Sequence, residues 1–267
     1  TTLVERRMID TGQRLFDYPF ALESELRDSA NGQGYRIAQG QAAGWLFYSS
    51  ASAPGEIAVA ATASGLNGPF FLSVAHPGAA RELKAESAGP CAKGHAAAFA
   101  FMTREALFAG VSAVYRLSLS LPTLPFEDFI RETAHLGDTE AERAQKVRIG
   151  QDRFRAAVMD YWNRTCPFTG AVEPQLLRAS HIIPWANCES DQERLNVHNG
   201  LLLSSLWDAA FDSGLVTFDD LGNAIASPSL GKSARLALAL EKAPPLQLVD
   251  EQRSRLAWHR SEIWVAD

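Results

Sequence analysis

The sequence reads LRASHIIPW at residues 177–185, NGLLL at residues 199–203 and LWDAAFDSG at residues 206–214. The first block predicts a strand that ends near a histidine, and the second predicts a short buried strand. The third predicts a brief helix over residues 205–212, which Gly214 would stop, because glycine readily ends helices. These three blocks therefore predict a small α+β unit in the C-terminal half of the chain.

The polar side chains of these blocks suit phosphodiester hydrolysis. That reaction needs a base to deprotonate water and a divalent cation to neutralise charge on the phosphate oxygens. A neutral histidine such as His181 can act as the base near pH 7. Asp208 and Asp212 are four residues apart, so they would lie on one face of the helix. Their oxygens, with the amide oxygen of Asn199, are hard ligands that suit Mg²⁺ or Mn²⁺.

The blocks resemble the HNH endonucleases, in the branch with the order C-x-x-T-G, A-S-H-I-x-P-W, N-G-L-L-L and D-x-x-F-D-x-G. The CPFTG segment at residues 166–170 supplies the first element, and RIGQDRFR at 148–155 fits upstream of it. WHR at residues 258–260 resembles the closing helix, so the likeness covers about residues 139–265. The resemblance implies a ββα-metal fold, in which two strands and a helix hold one divalent cation over the scissile phosphate.

The resemblance also implies a role for each matching residue. His181 would be the general base, and Asn199 would hold the following loop and orient His181, with direct contact to the metal left open. Asp208 occupies the place of the last histidine of the pattern and would bind the metal, with Asp212 as the second ligand. Many relatives have an aspartate before the base, where this chain has Ser180, a weaker ligand.

Composition sets limits on the class of protein. The chain has 267 residues, of which 46% are hydrophobic, and no apolar run approaches the roughly 18 residues that span a bilayer. The first ten residues lack the basic-then-apolar order of a secretory signal, so we expect a soluble cytoplasmic protein with no membrane partner. The three cysteines have no C-x-x-C spacing. We therefore expect neither a disulfide framework nor a structural zinc.

The charge distribution bears on a nucleic-acid partner. The net charge of −6 argues mildly against such a partner, since nucleic-acid-binding domains usually carry basic surface. Residues 143–178, however, contain seven basic and three acidic residues, a local charge of +4. We expect Arg148, Arg155 and Arg178 to contact the phosphates of double-stranded DNA. The oligomeric state is left open, with a homodimer as one option.

The pattern predicts two domains joined by a linker. Residues 1–125 alternate short apolar runs with turn residues, which favours a mixed α/β domain that recognises the substrate or regulates the nuclease. Its expected strands include residues 45–48, 57–60, 70–74 and 114–119, with helices around 77–87 and 95–111. Residues 126–138 are predicted as a linker, and residues 139–267 as the nuclease domain.

Within the nuclease domain, a capping box of Thr139 and Glu142 predicts the start of a helix, which Gly150 could break. Hairpins are expected over residues 166–183 and 215–227, and a last helix near 250–264.

The function predicted from these features is metal-dependent endonuclease activity on DNA, in restriction or another defence role. Two alternatives stay open. The first is a catalytically silent module that binds or senses nucleic acid. The second is an RNase or a nonspecific toxin nuclease.

Overall fold

A computed structural model describes residues 9–266, which form two compact units divided between Leu119 and Ser120. Both units contain helices and strands, so the predicted α+β class is confirmed. No single helix of the described residues is long and apolar enough to cross a membrane. The helix pair 104–120 and 123–133 passes that test by length and composition alone, as buried core helices also can.

The first unit is built on a seven-stranded sheet. Its strands are β1 (Ile9–Asp10), β2 (Ile37–Ala42), β3 (Trp45–Ser49), β4 (Ile57–Ala61), β5 (Phe70–Val74), β6 (Glu86–Gly89) and β7 (Ala97–Phe101). They lie in the order β1-β6-β7-β5-β4-β3-β2, and every neighbouring pair is antiparallel except β1 with β6. The helices are α1 (Phe20–Asn31), α2 (Pro77–Glu82) and α3 (Arg104–Ser120). The central strands β4 and β5 are buried at every residue, whereas the edge strand β2 is exposed throughout.

Two predictions in the first unit are wrong. Residues 114–119 were expected to form a strand, but they belong to α3, and the helix expected over 95–111 begins instead as β7. Leu107, Val111, Val114 and Ser118 are all buried at spacings of three and four residues. This helical period over a longer window outweighs the short β-like apolar run.

The second unit contains the remaining elements. Its helices are α4 (Thr123–Thr133), α5 (Glu140–Tyr161), α6 (Asp191–Arg194), α7 (Ser205–Asp212), α8 (Lys232–Ala237) and α9 (Asp250–Glu262). Its strands are β8 (Leu177–His181), β9 (Gly200–Ser204), β10 (Val216–Phe218) and β11 (Ala224–Ala226). Strands β10 and β11 form the second predicted hairpin, and α7 has the predicted bounds.

Helix α5 starts at the predicted capping box but continues through the predicted break. Thr139 Oγ1 accepts a hydrogen bond from the backbone N–H of Glu142, whose carboxylate accepts one from the N–H of Thr139. Gly150 lies inside the unbroken helix. Its missing side chain makes room for the ring of Trp185, because a Cβ there would lie 2.8 Å from Trp185 Cη2.

Most of the segment predicted as a linker is helical. Residues 126–133 belong to α4, where Phe129 is buried. Arg153 of α5 donates through Nε to Glu132 at 3.0 Å and pairs with Asp128 at 3.4 Å. The amphipathic face of this segment therefore packs on α5, and this burial outweighs Pro122 and Pro125, two nearby prolines of the kind that favours a linker.

The first predicted hairpin does not form. Residues 166–176 make turns, in which Gly170 N–H donates to the carbonyl of Cys166 at 2.9 Å. Strand β8 pairs antiparallel with the later strand β9, with His181 opposite Gly200 and Leu177 opposite Ser204. Since α7 begins directly after β9, the chain forms a ββα unit whose two strands are joined by a long polar loop.

An aromatic core supports this unit. Trp207 of α7 is 1% exposed, and its ring stacks on that of Phe168 with centroids 4.0 Å apart. Phe168 also stacks on Phe218 of β10 at 5.2 Å. The bulky Trp207 is thus matched by an aromatic partner from the turn segment before β8, which holds α7 against the sheet.

Candidate active site

A cavity of about 480 Å³ opens in the second unit at the end of β8. Strand β8, the loop after it, α7 and α9 contribute its walls. The walls combine a basic, an acidic and an aromatic group of side chains. The polar and aromatic lining residues are Arg178, Ser180, His181, Trp185, Asp208, Asp212 and His259.

His181 is the last residue of β8, and its contacts define which ring nitrogen carries the proton. Its Nε2 lies 2.9 Å from the carbonyl oxygen of Arg194. A carbonyl oxygen can only accept, so the neutral ring must carry its proton on Nε2 and leave Nδ1 as an acceptor. Burial lowers the pKa of His181 below its usual value of 6.5, which favours the neutral ring near pH 7.

Aromatic rings hold the plane of the His181 imidazole. Phe154 of α5 stacks on it with centroids 3.7 Å apart and planes 18° apart. Trp185 meets it edge to face at 5.5 Å. These contacts leave the ring little freedom to rotate away from the cavity.

Asn199 is fully buried behind the loop that follows His181. Its Oδ1 accepts from the N–H of Ile183 at 2.8 Å, and its Nδ2 donates to the carbonyl of Ile183 at 3.1 Å. Both ends of the amide are therefore bound to the backbone two residues after His181. Asn199 is not among the cavity-lining residues. These hydrogen bonds hold the loop that follows His181.

Asp208 and Asp212 lie on the cavity side of α7, as their spacing predicted. The pKa of Asp212 is raised from 3.8 to about 6. Loss of hydration on burial is the larger cause, and the negative charge of Asp208 is the smaller one. Ser180 is buried, and its hydroxyl donates to Asp208 Oδ1. The structure thus brings all three predicted metal ligands together beside His181.

These donors suit a hard cation that also binds water and phosphate. Among residues 9–266, no group of three or more histidine, cysteine, aspartate or glutamate side chains could hold a metal by itself. The negative charge of Asp208 nevertheless helps to raise the pKa of Asp212. Two carboxylates that repel each other in this way favour a positive charge nearby. Mg²⁺ in proteins is commonly held by one or two carboxylates, with water and substrate phosphate completing its shell.

Of the three predicted phosphate-binding arginines, the structure brings one to the cavity. Arg178 lines the wall and is exposed. Arg155 donates to the carbonyls of Leu177 at 3.0 Å and Pro174 at 2.8 Å, so it fixes the start of β8. Arg148 is exposed on α5, away from the cavity wall.

Several contributors to the site were not predicted. Phe154 entered the sequence analysis only as part of the RIGQDRFR segment, and no residue pattern indicated that the backbone carbonyl of Arg194 would contact His181. His259 of α9 is 1% exposed and stacks on Phe211 at 4.0 Å. Its Nε2 donates to the carbonyl of Phe211 at 3.2 Å, next to Asp212 in the chain.

Two strands and a helix border the cavity, with a histidine ending the first strand and carboxylates on the helix, which is the ββα arrangement that the resemblance to the HNH endonucleases predicted. The sequence profile of the HNH endonuclease family matches residues 166–219, so the C-terminal half of the chain contains an HNH domain. No curated protein matches the chain. The HNH domain indicates a nuclease.

Proposed function

We propose that this protein is a metal-dependent endonuclease that hydrolyses DNA phosphodiester bonds. One observation carries the proposal. His181, whose Nε2 is bound to the Arg194 carbonyl, lines the same cavity as Asp208 and Asp212. A base and a pair of hard ligands are the two requirements of phosphodiester hydrolysis.

In the proposed reaction, the oxygen of a water molecule attacks phosphorus while His181 Nδ1 accepts a proton from that water. The new P–O bond forms while the bond from phosphorus to the 3′-oxygen breaks, and solvent protonates the departing oxygen. The products are 5′-phosphate and 3′-hydroxyl ends. The carbonyl of Arg194, by accepting from Nε2–H, stabilises the positive charge that develops on the ring.

Asp208 and Asp212 would hold the divalent cation, Mg²⁺ or Mn²⁺, and Ser180 would orient Asp208 through its hydroxyl. When bound, the cation would neutralise negative charge on the phosphate oxygens and on the departing 3′-oxygen. Asn199 contributes by holding the backbone after His181 in place.

The basic side chains near the site support a nucleic-acid substrate. Arg178 on the cavity wall can contact a phosphate next to the scissile one, and Arg148 can contact the backbone further along. We extend the proposal to double-stranded DNA and to a role in restriction or another defence system. In this role the first unit would select the substrate, which a comparison of unmodified, methylated and hydroxymethylated plasmids would test.

Plasmid nicking tests the proposed chemistry. We expect the wild type to nick supercoiled plasmid in Mg²⁺ or Mn²⁺, and EDTA to abolish nicking. His181→Ala should slow it by about 100-fold or more, the usual range for a lost general base. His135→Ala is the matched control, because His135 is exposed and lies outside the cavity.

Nicking by His181→Ala at the wild-type rate would show the proposal to be wrong. One feature favours the alternative of a silent module, namely Ser180 in place of a third carboxylate. Binding of plasmid without nicking in Mg²⁺ and in Mn²⁺ would support that alternative.

A further inference from the structure

The side chain of Arg194, the last residue of α6, ties together the loop that follows His181. Its Nε donates to the carbonyl of Trp185 at 3.2 Å, and one terminal nitrogen donates to the carbonyl of Cys188 at 2.8 Å. The other terminal nitrogen pairs with Asp191 at 2.9 Å. The guanidinium carbon also lies 5.9 Å from the ring centroid of Trp185.

The backbone of the same residue contacts the proposed base. Its carbonyl oxygen is the acceptor for His181 Nε2–H at 2.9 Å. The side chain and the carbonyl of one residue are joined by only a few bonds. We expect loss of the guanidinium contacts with residues 185 and 188 to loosen the loop that ends at Arg194, and with it the carbonyl that accepts from His181 Nε2–H.

We propose that Arg194 is a positioning residue for His181, which keeps Nδ1 free and directed into the cavity. The inference rests on the proposed function of His181 as the base. Arginine suits this task because its planar group offers five donors in a fixed fork, whereas lysine offers a single charged point. The carbonyls of residues 185 and 188 and the carboxylate of Asp191 already occupy that fork, so Arg194 differs from a free phosphate-binding cation.

Trp185 connects Arg194 to the aromatic packing around the His181 ring. Its ring meets the edge of the His181 imidazole and also packs at Gly150 of α5. Arg194 holds the carbonyl of Trp185 and lies near its ring. One side chain thus secures both the hydrogen-bond acceptor and an aromatic neighbour of the base.

The test compares Arg194→Ala and Arg194→Lys with Arg253→Ala. Arg253 is a matched control, because it too pairs with an aspartate three residues earlier, at 2.5 Å, and donates to a backbone carbonyl, that of Asp220, at 3.0 Å. Two readouts are needed, kcat and KM for plasmid nicking, and the ¹⁵N NMR signature of the His181 tautomer in metal-free protein above its pKa. Thermal melting checks that each variant is folded.

For Arg194→Ala we expect kcat to fall by about 10- to 100-fold, as for a misplaced catalytic group, with KM little changed. The His181 tautomer should shift from Nε2–H towards a mixture. Arg194→Lys should give intermediate values in both readouts, which keeps the test informative if the alanine variant does not fold. Arg253→Ala should leave both readouts as in the wild type.

A folded Arg194→Ala variant with unchanged kcat and a pure Nε2–H tautomer would overturn the inference. Loss of stability with the tautomer unchanged would also overturn it, since a merely structural arginine gives that result. If the wild type nicks no DNA, the proposed function fails, and the tautomer measurement alone still decides whether Arg194 positions His181.

Discussion

At the scale of single residues, the candidate site depends on neighbours that restrict each reactive group to one state. Burial lowers the pKa of His181, which favours the neutral ring near pH 7, and the carbonyl that faces Nε2 places the proton of the neutral ring on that nitrogen. Asp212 shows the opposite effect, since burial and Asp208 raise its pKa to about 6. The proposed cation ligands Asp208 and Asp212 are thus electrostatically unfavourable neighbours when no cation is bound.

Asp212→Asn should therefore stabilise the metal-free protein at neutral pH. In wild type the folded state binds the Asp212 proton more tightly than the unfolded state does. Its favourable contribution to stability is complete below the ordinary aspartate pKa of 3.8 and is lost as pH rises through the folded-state pKa of about 6. In EDTA, we expect the variant to melt at a higher temperature than wild type above pH 6, and the difference to vanish in acid.

The control for this prediction is Asp138→Asn, whose side chain is 97% exposed. It should leave the melting temperature unchanged at both pH values. A gain for Asp212→Asn of equal size in acid and at neutral pH would contradict the electrostatic explanation.

At the scale of elements, helix α5 is the support on which the strand and loop of the site are assembled. Phe154 stacks on His181, Arg155 fixes the start of β8, and Gly150 receives Trp185. These residues span less than two turns of the helix. Packing of one helix face therefore sets the position of the base and of the loop that carries Arg194.

Gly150→Ala tests this role of α5. Alanine is favoured over glycine in a helix by about 1 kcal/mol, so an open position would gain stability. Here the new Cβ would lie 2.8 Å from Trp185 Cη2, part of a rigid ring that also contacts His181. We expect a several-fold lower kcat for nicking and no rise in melting temperature.

A control for Gly150→Ala is Gln151→Ala on the exposed side of the same helix turn, which should change neither kcat nor the site. If Gly150→Ala raised the melting temperature and retained full activity, the contact with Trp185 would have no role in positioning His181.

The elements of the site could be predicted where the signal was local. The helix 205–212, the capping box at Thr139 and the second hairpin depend on neighbouring residues, and the structure contains all three. The pairing of β8 with β9 was missed because it joins segments separated by a long loop. The Arg194 carbonyl was also missed, since a backbone group leaves no trace in residue identity.

At the scale of the whole molecule, the structure revises the distribution of charge. With the chain divided at residue 140, close to the predicted start of the nuclease domain, residues 1–140 have a net charge of −4 and residues 141–267 one of −2. With the observed division, residues 1–119 contain ten basic and ten acidic residues, and residues 120–267 contain fifteen and twenty-one. The net charge of −6 therefore belongs to the unit with the HNH domain.

Part of this acidity is internally paired. Asp128 and Glu132 of α4 bind Arg153, and Asp128 also pairs with Arg131. The acidic pair of the cavity would be offset by the bound cation. Nonspecific affinity for DNA should therefore be weak and should depend strongly on the divalent metal.

The central claim is that His181 and the carboxylates of α7 act as one catalytic unit. The most direct measurement is a double-mutant cycle of plasmid nicking rates in Mg²⁺, with His181→Ala, Asp208→Asn and the double variant. Groups that act together are strongly non-additive, so we predict that the double variant is about as slow as the slower single variant. Losses that multiply in the double variant, or a single variant with the wild-type rate, would contradict the claim.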